Sequence, residues 1–156
     1  MTHLYFDMND NFIKNIYVDT NVLINYCTGQ KEDVDALNYV FRMRKRMNLF
    51  TSTLAVVQTI TNLQTKKSNR PAFTRDEVID SLCRLLPKFT LLDLTTDDIR
   101  NGLSQMNEDV EDNIHYVLSQ KIKCSAIITH NVKDFIFFNT INVLLPNESA
   151  LRRKIK

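Results

Sequence analysis

The sequence contains few of the residues that break or cross-link a polypeptide. Its 156 residues include two glycines, three prolines, three cysteines and no tryptophan. The cysteines, Cys27, Cys83 and Cys124, are odd in number and form no Cys-x-x-Cys pair, so they encode neither a disulfide framework nor a zinc site. With 44% hydrophobic and 24% charged residues, the composition is typical of a folded, helix-rich domain and excludes a disordered chain.

The sequence also lacks long apolar runs and a strong charge of either sign. No run is long enough to span a membrane, and residues 1–14 lack the basic start and apolar stretch of a secretory signal, so we expect a cytoplasmic protein with no membrane partner. The net charge of +2 does not by itself indicate a nucleic-acid partner. A chain of this length usually forms one domain. We assign residues 15–156 to that domain and residues 1–14 to an N-terminal extension or an added strand.

Apolar residues recur alternately with the periods of strands and of helices. Strands separated by helices imply right-handed crossovers, so the sequence predicts an α/β fold, a three-layer α/β/α sandwich with a mainly parallel central sheet. Asp33 is the predicted cap of the second helix, and Thr74 with Glu77 matches the capping box of the fourth. The predicted strands are residues 15–19, 49–51, 89–92, 126–129 and 142–145, and the predicted helices are residues 20–27, 34–47, 53–63, 75–86, 97–103, 109–121 and 149–155.

Acidic residues stand at three of the predicted junctions. Asp19 ends the first strand, and Asp109 and Asp112 share one face at the start of a later helix. Asp134 follows the strand that ends at Thr129. Each acid alone has a structural explanation as a helix cap, a partner of the helix dipole or a turn residue. Because parallel strands end at one edge of a sheet, the acids can converge there and bind Mg²⁺ or Mn²⁺, which suits phosphodiester hydrolysis by metal-activated water.

Four stretches that contain these acids resemble the motifs of PIN-domain proteins, the fold of VapC-type ribonuclease toxins. They occur in the order found in that family and together span residues 15–146. The resemblance implies a Mg²⁺- or Mn²⁺-dependent endoribonuclease acting on RNA, frequent formation of homodimers and often a cognate antitoxin, as in type II toxin–antitoxin pairs. The stretches are IYVDTNVLI at 16–24, TSTLAVVQ at 51–58, DVEDNIHY at 109–116 and AIITHNVKDF at 126–135.

The resemblance also implies roles for individual residues. Asp19, Asp112 and Asp109 become catalytic and metal-binding, with Asp134 as a substitute for a fourth acid because Asn131 occupies the usual place of that acid. Gln58 stands where the family has a glutamate; its carbonyl oxygen can still coordinate a cation, but one negative charge is lost. The neighbouring side chains that support the ligands are Thr20, Asn21, Gln58, Thr129 and Asn131.

Basic side chains and one histidine are candidates for contacts with RNA phosphates. Their structural alternative is a solvated surface and, for the histidine, a buried helix position. The candidates are Lys66, Lys67, Arg70 and His115, with a second basic run at Arg42, Arg44, Lys45 and Arg46.

The leading hypothesis is a metal-dependent ribonuclease, the toxin of a toxin–antitoxin pair. The alternative, motivated by Gln58 and Asn131, is a catalytically degenerate PIN module that binds RNA or a protein partner without cutting. A phosphatase with Asp19 as its nucleophile is a third hypothesis, but the usual pattern has a second acid two residues later, where Asn21 stands.

Overall fold

A computed structural model describes residues 15–136, 138 and 141–155 of the chain. The predicted extension or added strand at residues 1–14 lies outside the described residues. Within them, five strands form one sheet, and eight helices and a 3₁₀ turn at Leu86–Lys88 connect and cover it. The strands are β1 (Asn15–Val18), β2 (Asn48–Ser52), β3 (Thr90–Leu92), β4 (Ala126–Ile128) and β5 (Asn142–Leu144). The helices are α1 (Thr20–Cys27), α2 (Lys31–Arg42), α3 (Thr53–Leu63), α4 (Arg75–Leu85), α5 (Thr96–Leu103), α6 (Val110–Lys121), α7 (Val132–Ile136) and α8 (Glu148–Lys154).

The sheet is parallel throughout, with the strand order β3-β2-β1-β4-β5. Strand β1 is central, and its Tyr17 pairs with Phe50 of β2 on one side and with Ile127 of β4 on the other. The predicted α/β fold with a mainly parallel sheet is confirmed. Because every crossover is helical, the carboxyl ends of all five strands lie at one edge of the sheet, and the first residues of the following helices lie there too.

Residues of β1 face the two helical layers in turn. Ile16 and Val18 pack in one core cluster with Leu151 of α8, whereas Tyr17 packs in a second cluster with Phe135 of α7. All five side chains are fully buried, and burial of each such side chain contributes about 1.5–3 kcal/mol to folding. The two clusters confirm the predicted three-layer sandwich, and they leave β1 without an exposed face.

The prediction that Asp33 caps the second helix is wrong. Helix α2 begins at Lys31, three residues before the predicted start, and the carboxylate of Asp33 is buried inside the first turn. Its Oδ1 lies 2.6 Å from Nε2 of His130, and its Oδ2 accepts a hydrogen bond from Nδ2 of Asn25 at 3.3 Å. A buried carboxylate needs such partners, and this one ties α2 to the segment that follows β4.

The predicted extension of the second helix to residue 47 is also wrong. Helix α2 ends at Arg42, and Met47 is buried in the core just before β2 begins at Asn48. The chain must leave the helix to bring Met47 into the core. The basic residues at 44–46 therefore lie in a connection at the amino edge of the sheet, opposite the edge at which β1 ends.

Two local features place the acid-bearing segments. Gly102 of α5 lies so close to α6 that an added Cβ would be 2.5 Å from Cγ1 of Ile114, so the missing side chain allows the two helices to pack together. Asp134 was predicted as a possible turn residue. It lies instead in the short helix α7, residues 132–136. Among the described residues, no helix is long and apolar enough to cross a bilayer.

Candidate active site

Three acidic side chains meet at the carboxyl edge of the sheet. Asp109 and Asp112 come from the start of α6, and Asp134 comes from α7. One carboxylate oxygen from each lies within 4.8 Å of the others. Asp112 is buried, Asp134 is half-buried and Asp109 is exposed, so the group opens to solvent on one side. Asp109 also caps α6, because its Oδ1 accepts a hydrogen bond from the backbone N–H of Asp112 at 3.0 Å.

Two of these acids, Asp109 and Asp112, line an open cleft of about 520 Å³ between α1, α3 and α6. This cleft is large enough for a nucleotide-sized group. Its α3 wall is neutral and consists of Val57, Gln58, Thr61 and Asn62, with Thr65 just beyond the end of the helix. The remaining lining residues are Asp19, Thr20, Asn21, Ile24, Lys67, Asp109, Glu111, Asp112, His115 and Asn131.

Asp19, the acid at the end of β1, is buried and held from three sides. Its Oδ1 accepts a hydrogen bond from the backbone N–H of Thr20 at 2.7 Å, so it caps α1. Its Oδ2 accepts hydrogen bonds from Thr129 Oγ1 at 2.7 Å and from Asn21 Nδ2 at 3.1 Å. Asp19 lies outside the group of three acids, but its charge acts on Asp112. Asp19 therefore does two things at once. It caps α1, as the structural explanation predicted, and its charge acts on the acids of the site.

The carboxyl of Asp112 has a strongly shifted pKa. Burial raises the pKa of its carboxyl to about 8, and the negative charges of Asp19, Asp109 and Asp134 add to the rise. Asn131 opposes it through a 3.3 Å hydrogen bond from Nδ2 to Oδ2 of Asp112. At neutral pH this carboxyl therefore holds a proton, because it is buried and lies close to other negative charges.

The donor set fits a hard divalent cation. Mg²⁺ and Mn²⁺ take oxygen ligands, and the three carboxylate oxygens of Asp109, Asp112 and Asp134 are close enough to share one ion. A bound cation would also relieve the repulsion that raises the pKa of Asp112.

A chain of hydrogen bonds runs from the exposed side chain of Glu111 into the buried interior of the site. The amide nitrogen of Gln58 donates to Glu111 Oε2 at 2.9 Å, which turns its carbonyl oxygen inward, 2.8 Å from His115 Nε2. His115 Nε2 therefore carries the hydrogen, and Nδ1 accepts one from the Tyr17 hydroxyl at 2.7 Å. Ser52 Oγ lies 2.7 Å from the same hydroxyl. Burial lowers the pKa of His115, so the ring is neutral at pH 7.

This network overturns the expectation that Gln58 coordinates a cation through its carbonyl oxygen. That oxygen already accepts hydrogen bonds from His115 and from Thr20 Oγ1, the second at 2.7 Å. A carbonyl oxygen has two lone pairs, and both are occupied. The hydroxyl of Thr20 thus supports Gln58 rather than an acid, whereas Asn21 and Thr129 support Asp19 directly.

The basic residues predicted to contact RNA fall into three groups. Lys67 lines the cleft, and Lys66 is exposed next to it. Arg70 instead fixes the end of α3, because its guanidinium donates to Asn62 Oδ1 at 2.6 Å and to the carbonyl oxygen of Leu63 at 3.3 Å. We therefore give Arg70 a structural role. The run that includes residues 44–46 lies at the opposite edge of the sheet and cannot reach the acids.

Comparison with known proteins agrees with this arrangement. A family model described as the PIN domain matches residues 15–133. The chain is a PIN-domain protein. The PIN family is a nuclease family whose members generally use divalent metal ions. In this PIN domain the matched range contains β1 to β4 and all of the acids described above except Asp134, which follows it by one residue.

Solved structures similar to this PIN domain include two VapBC proteins and one VapC toxin. VapBC2 from Rickettsia felis, bound to a DNA fragment from its promoter, is 10% identical with a TM-score of 0.61, covering 83% of this chain and 96% of that chain. VapBC-1 from nontypeable Haemophilus influenzae is 13% identical with a TM-score of 0.61, covering 85% and 98%. VapC20 from Mycobacterium tuberculosis, a toxin that cleaves the sarcin–ricin loop, is 15% identical with a TM-score of 0.52, covering 72% and 86%. These identities show a shared fold. No curated protein sequence gives a significant match.

Sequence reasoning missed two parts of the site. His115, a predicted RNA contact, instead uses both ring nitrogens to hold Tyr17 and Gln58. Glu111 is not among the predicted site residues, yet it lines the same cleft as Asp109 and Asp112. One sequence signal could have indicated Glu111. Helix α3 contains no acidic residue, so an acid on that side of the cleft has to come from a neighbouring helix.

Proposed function

We propose that this PIN domain is a Mg²⁺- or Mn²⁺-dependent endoribonuclease. The observation that carries the proposal is the group of Asp109, Asp112 and Asp134, whose carboxylate oxygens lie within 4.8 Å of one another, with Asp109 and Asp112 lining a nucleotide-sized cleft. Family membership makes a nuclease the first expectation for such a group. It also favours this activity over the phosphatase hypothesis, which needs an acid where Asn21 stands.

The residues of the chain have distinct tasks in this proposal. Asp109, Asp112 and Asp134 hold the ion, and Asp19 adds negative charge from a position fixed by Thr129. When bound, the ion supplies an activated water and neutralises charge that develops on the phosphate. Lys67 at the border of the cleft contributes a positive charge for a neighbouring phosphate of the RNA, and exposed Lys66 extends that contact along the strand.

Cleavage assays test the activity. Purified protein is expected to cut single-stranded RNA in Mn²⁺, to lose the activity in excess EDTA and to regain it when Mn²⁺ is restored. The control is Asp80→Asn, which changes an exposed acid of α4 and should leave cleavage unchanged. Cleavage that continues in EDTA would show that the acids do not act through a divalent cation.

A non-cutting PIN module that binds RNA or a protein is the second candidate. It is favoured by the neutral side chains at Gln58 and Asn131, both of which are engaged in hydrogen bonds within the site. Calorimetric titration with Mn²⁺ separates the two functions. Heat of binding supports the nuclease, and an absence of heat together with retained RNA binding supports the module.

We further propose that the chain is the toxin of a toxin–antitoxin pair and forms a homodimer. The similar structures of VapBC2 and VapBC-1 support a partner of this type. The neighbouring gene is expected to encode a small protein that binds this chain and abolishes its RNA cleavage in vitro. A gene without such a neighbour, or a neighbour whose product leaves cleavage unchanged, would count against the pairing.

A further inference from the structure

The α3 wall of the cleft has no acidic residue of its own. Helix α3 carries only neutral side chains, and those that face the cleft include Gln58 and Asn62. The carboxylates of Asp109, Asp112 and Asp134 come from α6 and α7. A cation bound among them would therefore have negative charge on one side and a neutral wall on the other.

Glu111 brings a carboxylate to that neutral wall. It belongs to the first turn of α6, lines the cleft and places Oε2 2.9 Å from the amide nitrogen of Gln58. Because Asp109 and Asp112 are spaced by three residues, they share a face of α6, and Glu111 projects from another face toward α3. The position of its carboxylate is thus set by a contact between helices and not by the three acids.

Gln58 itself cannot turn away from Glu111. Its carbonyl oxygen is held by two donors, His115 Nε2 at 2.8 Å and Thr20 Oγ1 at 2.7 Å. His115 is in turn fixed by Tyr17, which belongs to the central strand. A flip of the amide would set its NH₂ group against both donors and its oxygen against the Glu111 carboxylate, so the nitrogen stays directed at Glu111.

We infer that Glu111 is a further acidic residue of the proposed divalent-cation site, and that Gln58 is the positioning residue that holds its carboxylate at the α3 wall. This inference rests on the proposed function. It assigns to the pair of Gln58 and Glu111 the negative charge that a single acid in α3 would provide. Gln58 accepts hydrogen bonds from the buried donors His115 and Thr20, and Glu111 carries the negative charge.

Calorimetric titration of the whole chain with Mn²⁺ alone tests the inference. Glu111→Gln is expected to weaken Mn²⁺ binding roughly tenfold or more, a loss typical of residues that support a metal site. Glu108→Gln is the matched control. It removes the same charge from the same segment, but Glu108 is exposed and does not line the cleft. This variant should bind Mn²⁺ as the wild type does. Both positions are exposed, so both variants should fold.

The exchange variant Gln58→Glu with Glu111→Gln moves the charge across the hydrogen bond. The new carboxylate at position 58 still accepts from Thr20 and His115, and the new amide at position 111 donates back to it, so Mn²⁺ affinity should recover toward the wild-type value. Wild-type affinity in Glu111→Gln, or an exchange variant as weak as Glu111→Gln alone, would overturn the inference and leave the proposed function standing. A wild-type protein that binds no Mn²⁺ would instead remove the proposed function, and the inference with it.

Discussion

Replacing Asp112 by asparagine is expected to abolish RNA cleavage and at the same time to stabilise the metal-free protein. The loss of activity should reach at least about 100-fold, because the substitution removes a central cation ligand. The gain in stability follows from the burial of the Asp112 carboxyl and the negative charges around it, which together raise its pKa to about 8 from its ordinary value of 3.8. An asparagine has the same shape without a charge, and its oxygen can keep the hydrogen bond from Asn131.

The stabilisation should depend on pH in a defined direction. Between about pH 4 and pH 8 the unfolded chain has ionised this carboxyl, whereas the folded chain keeps the proton, so the stability of the wild type falls as pH rises. The advantage of Asp112→Asn should therefore be close to zero near pH 4, grow with pH and level off above about pH 8. A gain of about 1 kcal/mol corresponds to roughly 2–4 °C in Tm for a domain of this size.

Thermal unfolding in EDTA over this pH range provides the measurement. The control is Asp80→Asn, an exposed acid whose replacement should change stability by no more than about 0.5 kcal/mol. A Tm of Asp112→Asn that stays at or below the wild-type value at pH 8 would contradict the electrostatic description of the site.

Replacing Asp19 by asparagine is expected to abolish cleavage as well, but to destabilise the protein. The Asp19 carboxylate accepts hydrogen bonds from Thr20, Thr129 and Asn21. An asparagine keeps one oxygen for the backbone N–H of Thr20, and its NH₂ group then faces the donors of Thr129 and Asn21. Loss of these buried hydrogen bonds should cost about 1–3 kcal/mol.

The destabilisation is best measured near pH 6. Asp112 is still protonated there, so removal of the Asp19 charge brings little relief of repulsion and the effect of the hydrogen bonds is isolated. Denaturant unfolding should show a lower midpoint with an unchanged m-value. Equal or greater stability of Asp19→Asn at this pH would mean that the hydrogen bonds around Asp19 do not hold it.

Local patterns were sufficient to predict most of the fold. The apolar run of β1 followed by Asp19 predicted the strand, the cap and α1, and Thr74 with Glu77 forms the predicted capping box at the start of α4. These signals act between residues a few positions apart. The five residues of α7 are too few to show a helical period, so that helix could not be predicted from its pattern.

Contacts between distant residues set the limit of prediction for both fold and site. The sequence predicts Asp33 as a helix cap because its actual partner, His130, is 97 residues away. Likewise, Gln58 was expected to offer a free carbonyl oxygen, but His115, 57 residues away, occupies it. Of the four acids predicted at the sheet edge, Asp109, Asp112 and Asp134 lie together and Asp19 lies outside that group. The three-dimensional structure was needed to find that Glu111 lines the same cleft.

A crystal structure of the protein soaked in Mn²⁺ tests the central claim most directly. Anomalous scattering should locate a Mn²⁺ ion within coordination distance of carboxylate oxygens from Asp109, Asp112 and Asp134, at the carboxyl edge of the sheet. Soaked crystals of Asp112→Asn should lack this peak. An anomalous map of the wild type with no peak among these carboxylates, in crystals that leave the cleft open to solvent, would contradict the account.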